Sequence, residues 1–303
     1  MSSIPRFDLR EFTGGGDAAR REFASGLVAG LKRYGFIVVS GHGVPQALME
    51  DAYRASAAFF ALPEAEKRRH AGALRGYTPF GIEHARQSDK PDLKEFWQIG
   101  HEPAPGLTVE HPNTWPEHPA EFRATFTALF DALFDAGGSL LSAIALDFGL
   151  EEEFFDARIA GGQSLLRLLH YPPVPEGTDP GCVRAAAHED INLITLLIAA
   201  NGAGLELLDR DGRWLPVEAG REDIIVDTGD MMARITGGVL PATTHRVVNP
   251  AGPNVSRYSM PFFVQPRSEV LLEPLPGCRS DAEPITAGEY LNQRLKEIGL
   301  PAA

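Results

Sequence analysis

The chain has 303 residues, is 44% hydrophobic and carries a net charge of −13. That length and apolar fraction suffice to bury a substantial core, and the acidic balance argues against nucleic acid or an anionic membrane as partner. Met1-Ser2-Ser3-Ile4-Pro5-Arg6 has no apolar leader run, no stretch approaches transmembrane length, and Cys182 and Cys278 without pairing pattern suit a reducing cytoplasm.

No Gly/Ser- or Pro-rich linker and no internal repeat divides the chain, so a single unit is expected over residues 1–303. Gly14-Gly15-Gly16 reads as a flexible turn; without a preceding strand it is no phosphate cradle. Asp17 to Arg33 then predicts an amphipathic helix with Phe23, Leu27, Val28 and Leu31 on one stripe, and Asp17 in its first turn or at its N-cap. A strand at Phe36 to Ser40 and a helix from Pro45 to Phe60, with proline at its start, follow. Pro119 to Leu146 gives a long helix whose stripe of Phe122, Phe126, Leu129, Phe130, Leu133 and Phe134 is most simply core packing against a sheet. From about Gln163 the texture changes to short strands separated by turns: Gly202-Ala203-Gly204, Asp209-Arg210-Asp211-Gly212, Thr228-Gly229-Asp230 and Gly237-Gly238. Strands at this spacing indicate an antiparallel sandwich or jelly roll, and Ala287 to Ile298 closes the chain as a helix. Pattern alone thus predicts a β-sandwich with flanking helices.

The chemistry-bearing residues lie in the β-rich half. His188-Glu189-Asp190 is followed much later by His245, then by Arg257-Tyr258-Ser259. On an extended strand, side chains at i and i+2 leave one face, so His188 and Asp190 point together and Glu189 points away. The long gap to His245 suits a strand on the far side of a sandwich or barrel, returning to the same mouth. Two imidazoles and one carboxylate on one face leave the opposite coordination positions open, as in non-haem Fe(II) sites. A closed zinc site takes four protein ligands, usually with cysteine, and neither cysteine has such spacing. A lone His-x-Asp is more often ordinary hydrogen bonding, but the setting favours a metal. Ala185-Ala186-Ala187 precedes it, a buried-strand run from Ile191 to Ile198 follows, and Thr243 to Val248 is rich in β-branched residues. His42, His70, His84, His101, His111, His118 and His170 have no comparable context and read as structural or solvated.

Arg257 and Ser259 lie at i and i+2 of a strand-like segment, Ser256 to Val264, so they share one face that can look into a barrel. A buried arginine is costly unless an anion meets it. Its fork suits a carboxylate bidentately, with the serine hydroxyl as a further donor. A structural salt bridge is the bland alternative; the position just after the last ligand favours an anchor for a dicarboxylate.

Several further segments carry a family likeness. Tyr34 to Val44 resembles a "GFF…NHGV" segment, Phe59 to Lys67 an "FFxLPxExK", Arg75 to Gly81 a "GYxPxG", and Leu169 to Pro175 an "NYYPPCP". With the triad and the Arg-x-Ser pair, these resemble the 2-oxoglutarate- and Fe(II)-dependent oxygenase superfamily, in the branch related to isopenicillin N synthase, over nearly the whole chain. Glu189 stands where plant members usually carry Thr, and Leu169 and His170 replace the usual Asn and first Tyr, which suggests a bacterial-type member. His170 reads as a packed histidine before it reads as a neighbour of the metal.

The resemblance implies a fold that is mainly β with flanking α-helices (α+β). Residues 160–270 would form the double-stranded β-helix (jelly-roll) core, 1–150 an N-terminal helical and strand region buttressing one outer face, and 285–303 a C-terminal helix. It implies Fe(II) on His188, Asp190 and His245, and 2-oxoglutarate with its distal carboxylate on Arg257, Ser259 and Tyr171. With O2, such an enzyme oxidises a small molecule by hydroxylation, desaturation or a related reaction and releases succinate and CO2. Phe80, Glu83, Phe96 and Trp97 lie in segments that border the substrate cavity in the family. Glu83 is expected to attract a cationic group, and Arg167, on the face of Tyr171, a substrate carboxylate or else a structural ion-pair partner. Two alternatives stay open at this level. One is a 2-oxoglutarate-independent oxidase of the isopenicillin N synthase or aminocyclopropane-carboxylate type, and the other is a non-catalytic metal- and ligand-binding protein.

Overall fold

The computed structural model describes residues 4–84, 90–103, 111–198, 203–279 and 282–297. Ile298 of the closing helix, Gly202 of one turn and the first three residues fall outside them. The chain runs β1 (Arg6–Asp8), α1 (Arg10–Thr13), α2 (Asp17–Tyr34), β2 (Phe36–Ser40), α3 (Gln46–Phe60), α4 (Glu64–Lys67), β3 (Tyr77–Thr78), β4 (Glu95–Gly100) and α5 (Phe122–Asp147). It continues with α6 (Asp156–Ile159), β5 (Leu165–Tyr171), β6 (Ala185–His188), β7 (Ile194–Ile198), β8 (Leu205–Leu208), β9 (Trp214–Pro216), β10 (Ile224–Thr228), α7 (Asp230–Ile235), β11 (His245–Val247), β12 (Arg257–Val264) and α8 (Ala287–Glu297).

Among the described residues the strands form two sheets. The larger has the order β1-β2-β10-β7-β12-β5-β4-β3 and the smaller β6-β11-β8-β9. Four strands of the larger sheet come from the N-terminal 150 residues, so that region is built into the sheet as well as packed on it. Period-2 alternation sorts the side chains into two apolar clusters. Ile37, Val39, Leu166, Leu168, Ile194, Leu196, Ile224, Val226, Met260 and Phe262 face the helices. Their alternates Phe36, Val38, Phe96, Leu169, Tyr171, Leu197 and Ile225 face the smaller sheet and pack with its Ala185, Leu205, Leu207 and Val247. This is a double-layered jelly roll, with α2, α3 and α5 covering the larger sheet.

Helix α5 departs from expectation in one respect. It is long and apolar enough to cross a bilayer by length and composition, yet 56% of its most apolar window is buried within the protein. Phe122, Phe126, Leu129, Phe130 and Leu133 are all in the core, and Phe130 meets Phe262 of β12 edge-on at 5.0 Å. Helix α2 ends at Gly35, which adopts φ +67° and donates its N–H to Leu31 O. A Cβ there would be strained and would collide with Thr243 Oγ1, so glycine is needed twice over. Thr228-Gly229-Asp230 does more than turn the chain, because it opens α7 with Gly229 at the N-cap.

Candidate active site

Both candidate histidine ligands sit on adjacent strands. His245 of β11 lies directly opposite His188 of β6 in the smaller sheet. The expected far-side position of His245 is therefore corrected: the long intervening segment builds β7 to β10 and α7, then returns to pair with the strand it left. Asp190 is corrected too, for β6 ends at His188 and Asp190 lies in the following loop. That loop is held by backbone bonds from α7, Asp230 N–H to Asp190 O at 2.9 Å and Met231 N–H to Asn192 O at 3.1 Å. Gly229 approaches it so closely that a Cβ would collide with Asn192 and crowd Asp190 O.

The three candidate ligand atoms lie within 4.8 Å of one another. His188 Nδ1 donates to Ala186 O at 2.7 Å, and His245 Nδ1 bonds Thr243 O at 3.2 Å. Each ring thus carries its proton on Nδ1 and turns a bare Nε2 inward. The Nε2 atoms stand 3.7 and 3.8 Å from Asp190 Oδ1, too far for hydrogen bonds and close enough to share one ion. Burial first, then His245, push the His188 imidazole down to about 4, so it is a neutral donor at ordinary pH. The Asp190 and His245 side chains are nearly closed off, whereas 35% of the His188 side chain is open. Phe36 packs edge-on to His245 at 5.5 Å, which ties the Gly35-Phe36 segment to the site. Glu189 points away, where its carboxylate accepts from Thr244 Oγ1 at 3.3 Å. Two nitrogens and one carboxylate oxygen on one side suit a ferrous ion with open positions opposite.

Sequence reading missed the residues that orient Asp190. Thr195 Oγ1 donates to Asp190 Oδ2 and in turn accepts from Asn192 Nδ2 at 2.8 Å. Their signal was present as two polar residues inside the otherwise apolar run Ile191 to Ile198. Thr195→Val keeps the shape and removes the donor. It is expected to weaken iron binding about 10–100-fold, read by chelator competition; wild-type affinity would reject the orienting role.

Arg257 and Tyr171 are cross-strand partners of β12 and β5, and Ser259 lies opposite Leu169. All three expected anchor residues are buried on the face toward the smaller sheet. The Arg257 guanidinium is 5.2 Å from the Tyr171 ring centre. Burial lowers its pKa, and the groups opposing that are the hydroxyls of Tyr171 and Tyr53. A second arginine, Arg184, is close enough to have its own pKa lowered by burial and by Arg257. Two buried cations beside tyrosines make a region that suits an anion.

The residues expected to border the substrate cavity divide. Trp97 is wrong: it is fully buried on the helix side of β4, edge-on to Phe59 at 4.9 Å and Phe122 at 5.3 Å. Alternation gives its neighbour Phe96 the inner face. Phe80 lies on a turn, 37% exposed. Arg167 and Glu83 are brought together at 3.2 Å, so the ion-pair alternative for Arg167 is the one observed. Glu83 is buried and also pairs with Lys94 at 2.7 Å. Burial opposes its ionisation, but Arg167 and Lys94 overcome this and hold it down to about 2. Its charge is already met, which corrects the expectation that it attracts a cation. Arg167 further donates to Gln98 Oε1 at 2.8 Å and lies over the Phe96 ring at 4.4 Å.

Lys94 and Asp92 were also missed. Lys94 Nζ meets Asp92 Oδ2 at 2.8 Å, and Asp92 Oδ1 accepts from Ala186 N–H at 2.9 Å, joining this cluster to the strand that carries His188. Lys94→Met leaves two carboxylates buried with one cation fewer. It should cost about 3–5 kcal/mol of stability, measured by urea unfolding; a loss below about 1 kcal/mol would show the cluster to be inessential. His42 and His170 are packed and hydrogen-bonded away from the triad, His42 to Glu222 O at 2.8 Å and His170 to Glu95 at 2.7 Å.

Comparison with known proteins extends the geometry. The profile of the 2OG-Fe(II) oxygenase superfamily matches residues 162–266, and that of the non-haem dioxygenase in morphine synthesis N-terminal family matches residues 4–118. A 2-oxoglutarate-Fe(II) type oxidoreductase of Emericella nidulans, hxnY, is 31% identical over 97% of this chain and 89% of its own length. A Caulobacter crescentus protein described as of the 2OG-Fe(II) oxygenase family superimposes with a TM-score of 0.87 at 41% identity, covering 98% of this chain and 100% of that one. A Neurospora crassa protein solved with alpha-KG and thymine superimposes with a TM-score of 0.87 at 31% identity, covering 97% and 96%. Likeness of this extent, in both sequence and fold, settles the family: this chain belongs to the 2OG-Fe(II) oxygenase superfamily and is a 2-oxoglutarate- and Fe(II)-dependent dioxygenase.

Proposed function

We propose that His188, Asp190 and His245 hold the Fe(II), that Arg257, Ser259 and Tyr171 hold the distal carboxylate of 2-oxoglutarate, and that a small uncharged polar molecule is oxidised above them. The observation that carries this reading is the convergence of two Nε2 atoms and Asp190 Oδ1, with a buried Arg257 on the face of the larger sheet turned toward the smaller one. When bound, Fe(II) with 2-oxoglutarate and O2 supplies the oxidising power, with succinate and CO2 as co-products. The protein's share is binding and orientation. Thr195 turns the Asp190 carboxylate, the carbonyls of Ala186 and Thr243 fix both imidazoles, and the guanidinium and hydroxyls of the anchor set the direction of the cosubstrate.

Support for an uncharged substrate comes from the inner face of β4 and β5. Glu83, Lys94, Arg167 and Asp92 neutralise one another there, and Gln98 and the Phe96 ring complete the surface. A free charge on the substrate would have to break these pairs before being met. The Neurospora relative, with thymine in its solved complex, holds a neutral planar polar molecule. Two free cysteines suit the cytoplasm as compartment, and the charge of −13 disfavours nucleic acid as partner.

Anaerobic addition of Fe(II) and 2-oxoglutarate should produce a visible charge-transfer band, and small neutral heterocycles should perturb it more than amines or carboxylic acids. Succinate should then form in step with oxidised substrate. Absence of the band would overturn the residue assignment, and a band perturbed best by charged compounds would overturn the substrate class.

A further inference from the structure

Directly behind the anchor, on the helix-facing side of β5, β12 and the adjoining β4, lies a buried polar network that the chemistry above does not use. His170 of β5 stands between its cross-strand neighbours Glu95 of β4 and Tyr258 of β12. His170 Nδ1 donates to Glu95 Oε1 at 2.7 Å, and its Nε2 bonds Ser256 Oγ at 3.0 Å. Its ring stacks on Tyr258, with centres 4.8 Å apart and planes 11° off parallel, and packs against Phe60 of α3 at 5.2 Å. The other Glu95 oxygen takes Lys67 Nζ of α4 at 2.6 Å and the Tyr77 hydroxyl of β3. Lys67, Tyr77, Glu95 and His170 are all buried.

Three members of this network are chain neighbours of the anchor residues. His170 precedes Tyr171, Ser256 precedes Arg257, and Tyr258 stands between Arg257 and Ser259. Because strand side chains alternate, a one-residue slip of β5 against β12 would swap the faces of β5 and carry Tyr171 out of the interior, away from Arg257. Apolar side chains alone on the outer face would permit such a slip; directional bonds from one imidazole to β4 and to the residue that leads into β12 do not. The segment that this part of the chain resembles has tyrosine at the position of His170, so the network belongs to this chain's own residues.

We propose that His170 is a positioning residue for 2-oxoglutarate. By joining β4, β5 and the start of β12 on the outer face, it sets the placement of Tyr171, Arg257 and Ser259 on the inner face. This rests on the anchor assignment made above.

The test compares His170→Phe, which keeps the stacking and removes both bonds, with His170→Gln, which retains a donor for Glu95 and an acceptor for Ser256. The readouts are the dissociation constant of 2-oxoglutarate from the Fe(II)-loaded protein, titrated anaerobically by the visible band, and iron affinity measured separately. His170→Phe should weaken 2-oxoglutarate about 3–10-fold with iron affinity unchanged, and His170→Gln should restore most of that loss. Unchanged 2-oxoglutarate binding in His170→Phe overturns the proposal. So does a parallel loss of iron, which would signal general loosening, or a His170→Gln variant as impaired as His170→Phe. Should His170→Phe fail to fold, Ser256→Ala removes the Nε2 bond alone and should show a smaller loss in the same direction; no loss overturns the proposal. Arg257→Lys is measured alongside. If it binds 2-oxoglutarate normally, the anchor assignment falls and this inference with it; if it is impaired while His170→Phe is not, this inference falls alone.

Discussion

Asp190→Ala is expected to abolish iron retention and turnover while leaving the fold intact. Asp190 is the carboxylate of the proposed donor set, and its Oδ1 lies 3.7 and 3.8 Å from the two imidazole Nε2 atoms. Without it, two imidazole rings remain on adjacent strands, and a divalent cation has no carboxylate to balance its charge. Loss of a residue that merely orients a ligand typically costs 10–100-fold in metal affinity or activity, so loss of the ligand should exceed about 100-fold. The change removes a carboxylate from a tightly bonded loop, but α7 holds that loop through backbone groups that the substitution does not touch. Iron content after anaerobic loading, near-ultraviolet circular dichroism and 2-oxoglutarate decarboxylation check this together. A folded variant that retains iron and decarboxylates 2-oxoglutarate at near wild-type rate would falsify the metal assignment.

Arg257→Lys is expected to weaken 2-oxoglutarate binding about 10–100-fold, the value of one or so charge-assisted hydrogen bonds, and to leave iron affinity unchanged. The guanidinium is buried 5.2 Å from the Tyr171 ring centre, on the face that Ser259 shares. Lysine preserves the charge but replaces a planar fork with a point donor, so a carboxylate loses its bidentate partner. The asymmetry between the two affinities is the informative part. Arg257 lies on β12 of the larger sheet while His188 and His245 belong to the smaller one, so damage at the anchor need not reach the metal ligands. Separate titrations of Fe(II) and of 2-oxoglutarate read the split. Unchanged 2-oxoglutarate affinity rejects the anchor, and equal losses in both would point to a structural role for Arg257.

The residues proposed to carry the chemistry were legible because each is a local signal. His188, Asp190 and His245 combine the right donor types, and Arg257 with Ser259 keeps an i, i+2 spacing on a segment that is a strand, Arg257–Val264. Helix α2 and strand β2 appear where periodicity puts them, at Asp17–Tyr34 and Phe36–Ser40. Trp97 failed for want of a phase. A family segment says which stretch borders a cavity, whereas alternation about β4 decides that Phe96 faces in and Trp97 faces the helices. Glu83 failed because a lone carboxylate in sequence has no visible partners; Lys94, Arg167 and the burial that makes them matter appear only when β4 and β5 pair.

The order of residues in the chain thus singled out the candidate donor set, the proposed cation for a dicarboxylate, the β-rich half and the helices before it, since each depends on residue type and on periods of 2 or 3.6 within a short window. It did not establish that His245 pairs beside His188, that Asp190 leaves the strand to be held by Thr195 and α7, or that four carboxylates and cations cancel on the inner face of β4 and β5. Those facts depend on which strands become neighbours and in what register, and non-local pairing is fixed by the packing of the whole sheet, where one residue of slip exchanges every inward side chain for an outward one.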